Sequence, residues 1–121
     1  MRIFCFDDGF GGMIDDYGSK NVVFSRIARL SGDAYVSSMH VGPNGVIGYH
    51  QAMMPQLFLV VQGDGWVRGR TAERTRIRAG QAAFWETGEW HESGTETDML
   101  AIVIEVQDEE FDPAEFLSNC F

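Results

Sequence analysis

The chain has 121 residues, with 18 carboxylates against nine Lys plus Arg and a formal net charge of −9 at pH 7. That length suits one domain with a core large enough to fold without staples, spanning residues 1–121. The acidic balance, with Lys20 as the single lysine, is expected to serve solubility. It argues against nucleic acid and anionic membrane as partners, because either needs a dense basic footprint.

The amino-terminal stretch MRIFCFDDGFGG meets Asp7 and Asp8 after a handful of apolar residues, and no apolar run reaches about 18 residues. Neither export nor membrane insertion is expected. Cys5 and Cys120 lie at opposite ends of the chain, without the count or spacing of a disulfide framework. The simplest expectation is a reduced, cytoplasmic protein.

Short β-branched and aromatic runs punctuated by Gly, Asp, Asn and Pro predict an all-β chain. Strands are expected over Arg2 to Phe6, Val22 to Leu30, Ala34 to Val41, Leu57 to Gln62, Trp66 to Arg70, Arg74 to Ile77, Gln81 to Trp85 and Met99 to Val106. Gly63, Asp64 and Gly65 separate two of these runs, and an Asp-Gly pair accepts the positive φ of a tight hairpin turn. Near the carboxyl end, Asp112 as cap, Pro113 at the first helical position and Glu115 as a capping acid predict a short helix. That helix would pack Phe116 and Leu117 onto the rest.

Two glycine-bracketed histidine stretches follow one another between Gly45 and Thr95. The first, GVIGYHQAMMPQLFLVVQG over 45–63, keeps His50, Gln56 and Gly63 in register with the first cupin motif, its opening glycine one residue nearer the histidine. The second, GQAAFWETGEWHESGT over 80–95, matches the second motif at Gly80, Gly88 and His91, with Glu86 in place of proline and Thr95 in place of asparagine. The chain therefore resembles the cupins over about two-fifths of its length. The resemblance implies a double-stranded β-helix, a jelly-roll barrel similar to the RmlC-like sugar epimerases, with a central pocket and assembly as a homodimer through amino-terminal strands. The apolar runs at Arg2 to Phe6 and Val22 to Leu30 support the dimer, since they exceed what so small a barrel needs to cover itself.

The same resemblance carries the metal ligands onto His50, Ala52, Gln56 and His91. Ala52 has no donor atom and Gln56 offers a neutral amide oxygen, so one imidazole and one negative charge are missing. A His50, Gln56 and His91 set would hold a divalent transition metal (Zn, Ni, Fe or Mn) only weakly, because an ion must be repaid for its lost hydration. The other reading is a polar, metal-free pocket. His40 is the remaining histidine; strand alternation through a tight hairpin after Val41 would set it opposite His50, whereas a longer irregular loop would leave its face open.

Glu86, Glu89 and Glu92 surround His91 in sequence, as candidate bases or orienters of its ring or as solvated loop residues. Among the many aromatics, Tyr49, Phe58 and Trp90 are expected at the ligand pocket and most of the others in the core. Three functions stay open: small-molecule binding or sensing without turnover, a metal-dependent dioxygenase or isomerase, and a metal-free isomerase. The last would pair a histidine with one of the three glutamates and set Tyr35 or Tyr49 across the pocket.

Overall fold

A computed structural model describes residues 1–120, and the elements run β1 (Arg2–Cys5), β2 (Gly12–Ile14), β3 (Val22–Phe24), β4 (Ala34–Val41), β5 (Val46–Gln51), β6 (Gln56–Arg68), β7 (Thr75–Arg78), β8 (Gln81–Trp85), β9 (Trp90–Val106) and β10 (Ser118–Asn119). No helix among the described residues is long and apolar enough to cross a membrane.

Two long strands organise everything else. The first half of β6 runs between β8 and β9, and its second half between β7 and β9. The second half of β9 lies between β6 and β4, and its first residues between β6 and β5. One antiparallel layer therefore reads β10-β1-β8-β6-β9-β4 and the other β7-β6-β9-β5. The bends fall at irregularities in the ladder, between Val60 and Gln62 and between Asp64 and Trp66; extra residues at such bulges kink a strand and sharpen its twist.

This overturns the expected tight turn at Gly63 to Gly65. These residues lie inside β6, Gly63 has φ +80°, and a Cβ at Gly63 or Gly65 would collide with the carbonyl oxygen of Asp98 or Gly94 on β9. The glycines serve close strand approach at a bend, a need that has the same local signature as a hairpin. The hairpin itself closes over residues 69–74, and Arg68 Nη1 donates to the Thr71 carbonyl at 3.2 Å within it.

Other expectations also change. The strand from Val22 ends at Phe24, and it pairs only with β2. The carboxyl-terminal helix is a single 3-10 turn, Pro113–Glu115; Asp112 does cap it, accepting from Ala114 N at 2.9 Å, but Glu115 pairs with Arg29 at 2.7 Å instead of reaching back. Cys5 and Cys120 are joined as a disulfide with Cα atoms 5.3 Å apart, so the expectation of two reduced thiols fails. Separation along the chain hid the pairing: β10 is laid directly on β1, with Cys5 opposite Ser118.

Strand alternation sorts the apolar residues into two cores. Phe58, Val60, Ala83, Trp85, Ala101 and Val103 fill the space between the layers. Phe4, Leu57, Leu59, Ala82 and Phe84 face the other way and are roofed by Leu117, with Phe6, Ile27 and Phe111 packed beside it. The two ends of the chain thus cover the outer face of the larger sheet.

Candidate functional site

Inside the barrel is a cavity of about 100 Å³, lined by Met39, Gln56, Phe58, Val103 and Glu105 from the larger layer and by Ile47, His50, His91 and Ser93 from the smaller one. His50 and His91 are directly opposed in the β5–β9 ladder, and their rings lie 4.4 Å apart between centroids. The three residues singled out by motif register, His50, Gln56 and His91, therefore share one cavity although 41 positions separate the histidines.

Their surroundings differ. His91 is 1% exposed and stacks on Trp85 with centroids 4.2 Å apart, while His50 is exposed, at the open side of the cavity. His50 Nδ1 lies 2.6 Å from the Gly48 carbonyl and His91 Nδ1 lies 3.2 Å from the Glu89 carbonyl. A carbonyl only accepts, so each Nδ1 carries the proton and, in the neutral ring, each Nε2 keeps a free lone pair. For His91 that neutral state is favoured: burial lowers its pKa from the ordinary histidine value of 6.5, with the His50 charge acting the same way against the opposing hydrogen bond and charge of Glu89. His91 Nε2 is buried and has no hydrogen-bond partner among the described residues.

Glu105 is a cavity residue that the motif comparison missed. It stands directly across the ladder from Gln56 and returns a carboxyl group beside the amide that replaced one. Its signal was present: Glu105 shares the strand parity of buried Met99, Ala101 and Val103, and a charged residue on the apolar face of a strand is informative.

Several other candidates fall outside. Tyr49 and Trp90 neighbour the two histidines in sequence, and alternation turns both away from the cavity; they stack on each other at 5.1 Å, with the Arg68 guanidinium 4.4 Å above Tyr49. Phe58 does line the cavity. His40 Nε2 meets Asp98 Oδ1 at 2.8 Å on an exposed surface. The reason is not a hairpin: β4 and β5 do not pair with each other, and both lie along β9. None of Glu86, Glu89 and Glu92 lines the cavity. Glu86 is exposed, Glu89 binds the Met1 ammonium at 2.6 Å and Glu92 binds Arg68 at 2.7 Å. A histidine paired with one of these carboxylates, the arrangement a metal-free isomerase was expected to show, is absent among the described residues.

Ala52 is 3% exposed and belongs to the inner core together with Trp85, Phe58 and Val60, so the position of a second motif histidine is filled by a small apolar side chain. Among the described residues no three or more His, Cys, Asp or Glu groups are close enough to hold a metal. Two imidazole nitrogens and a neutral amide do not reproduce the four-ligand set that the motif comparison implies, and the usual first shells use three or four protein ligands.

No family model and no curated protein matches the chain. Solved structures do resemble it. A cupin superfamily protein from Desulfitobacterium hafniense matches with a TM-score of 0.58 at 13% identity, over 74% of this chain and 82% of that one. An uncharacterized conserved protein with a double-stranded beta-helix domain from Klebsiella pneumoniae matches with a TM-score of 0.57 at 17% identity, over 84% and 89%. A predicted oxalate decarboxylase from Thermotoga maritima matches with a TM-score of 0.54 at 22% identity, over 66% and 67%. The chain has the cupin fold, a double-stranded β-helix of two antiparallel layers. At these identities the likeness extends to the fold, which hosts enzymes and binding modules alike.

Proposed function

We propose that the protein binds a small molecule, or the head group of a larger one, inside the barrel between His50, Gln56, Glu105 and His91. The observation that carries this reading is the unpartnered His91 Nε2, a buried acceptor on a residue that lines the cavity. Leaving such a group unmade costs about 1–3 kcal/mol, so folds retain it where something supplies the missing bond. With the His50 lone pair and the Gln56 oxygen nearby, the cavity favours a hydrogen-bond donor such as an ammonium or hydroxyl group. Its volume corresponds to about three water molecules at roughly 30 Å³ each, which limits the enclosed part of the ligand to a few atoms.

The paired lone pairs support a second reading, in which His50 and His91 hold a divalent metal with Gln56. The missing third imidazole makes any such ion weakly held and readily exchanged. Two measurements separate these readings. Elemental analysis of protein purified without a metal-affinity tag should find substoichiometric metal; one tightly held ion per chain would overturn the metal-free reading. A fragment screen by NMR with amines and polyols should shift the His50 and His91 side-chain resonances together. Hits that consistently map elsewhere would remove the barrel site.

A further inference from the structure

The acidic chain hides one basic element. Residues 68–78 hold five of its nine cations, Arg68, Arg70, Arg74, Arg76 and Arg78, with Glu73 as their only acid. That stretch is net +4, so the remainder of the chain carries −9 − 4 = −13. The overall acidic balance thus conceals a local excess of positive charge on this hairpin.

Its geometry gives the charges an arrangement. Ile77 is 1% exposed and pins β7 to the body, so alternation sends Arg76 and Arg78, with Arg74 just ahead of them, to the outside. Residues two apart on a strand sit about 7 Å apart. Arg74 is held flat over the Trp66 ring at 3.7 Å, and Arg76 is braced by Asp64. Arg70, Arg74 and Arg78 enter no ion pair among the described residues, and an open groove of about 720 Å³ runs past Asp64, Thr75, Arg76, Ile77, Arg78 and Gln81, its one acid, Asp64, neutralised by Arg76. β7 pairs on one side only among the described strands, with β6; on its other edge the Arg78 N–H already donates to Gln81 Oε1 at 3.0 Å, and the remaining backbone groups have no ladder.

We propose that the free edge of β7 docks an extended acidic peptide segment of another protein by strand addition. An added strand repeats its side chains every second residue at the spacing of the arginines, so alternating carboxylates face Arg74, Arg76 and Arg78. Each guanidinium can fork onto a carboxylate, and a strand edge offers main-chain bonds that only a polypeptide can return. The surrounding charge of −13 repels a phosphate polymer and an acidic peptide alike, so it is the main-chain edge of β7, which a phosphate polymer cannot pair with, that favours the peptide.

The test is fluorescence anisotropy at low salt with a labelled peptide of alternating glutamate and valine. The protein should bind it, and the combined Arg74→Gln, Arg76→Gln, Arg78→Gln variant should bind at least tenfold more weakly while unfolding at the same urea concentration. The single change Arg78→Glu should weaken binding in the same direction, should the triple variant prove less stable. A peptide methylated at every second backbone nitrogen should also bind at least tenfold more weakly. Undiminished binding of the methylated peptide, or equal binding of an oligonucleotide of the same charge, would overturn strand addition of an acidic segment. Salt-sensitive self-association abolished by the arginine changes would place a second copy at the edge and overturn it too.

Discussion

With its δ nitrogen committed to the Glu89 carbonyl, His91 keeps a buried ε nitrogen to which nothing among the described residues donates. His91→Phe keeps a flat ring on Trp85 and removes the unmade bond, and the Glu89 carbonyl still accepts from Ala52 N at 2.9 Å. The variant is expected to be more stable without ligand by about 1–3 kcal/mol and to lose the thermal stabilisation that bound fragments give the natural protein. Urea unfolding and ligand-dependent melting check both halves. The pH dependence follows from the same residue. Its folded-state pKa lies below the unfolded value of 6.5, so its contribution is complete above that pH and is lost as pH falls through the folded value. Between about pH 7 and about pH 5 the natural protein should therefore lose more stability than His91→Phe; parallel curves would show that His91 is not the titrating group.

At the scale of elements, β6 and β9 decide whether there is a cavity, because each must bend out of one layer and into the other. The bend depends on backbone contact at Gly63 and Gly65, where any Cβ would strike β9. Gly63→Ala adds a side chain at φ +80° and should cost about 1–3 kcal/mol or more. Gly42→Ala is the control, since a Cβ there meets nothing within 4 Å. Equal unfolding midpoints for the two variants would contradict this account of the bend. The element boundaries were also the least legible part of the sequence. Gly-Asp-Gly satisfies the local rules for a turn and for a bulged close approach alike, and only the partner strand distinguishes them.

At the scale of the molecule, the chain ends roof the outer core of the larger layer, and Cys5–Cys120 ties them together across 115 positions. A cross-link closing so long a loop restricts the unfolded chain strongly, so replacing both cysteines by serine should cost about 2–4 kcal/mol. Denaturation of the oxidised protein and the double variant measures it, and mass spectrometry after alkylation without reductant should find neither thiol modified. The proposed homodimer belongs to this scale too. The β2–β3 hairpin pairs with no other strand, and isolated hairpins are marginal in water. It leaves Met13 at 69% and Phe24 at 49% exposure. Sedimentation at tens of micromolar should find a dimer, and Met13→Asp with Phe24→Asp should shift it toward monomer; a monomeric natural protein removes the proposal.

Composition and alternation by themselves determined that the chain is all-β, and the resemblance to the cupin motifs implied that His50, Gln56 and His91 would meet. Both are properties of local chemistry: side chains alternate across a strand, and glycines and histidines at set offsets recur when one barrel is built repeatedly. Tertiary structure decided what depends on which strands become neighbours. It set Glu105 across from Gln56, turned Tyr49 and Trp90 outward, buried Ala52 in the inner core, and brought Cys5 to Cys120. Those outcomes rest on ladder register and on the bends of β6 and β9, which are fixed by contacts between residues far apart in the chain and leave no mark on the short windows in which a sequence is read.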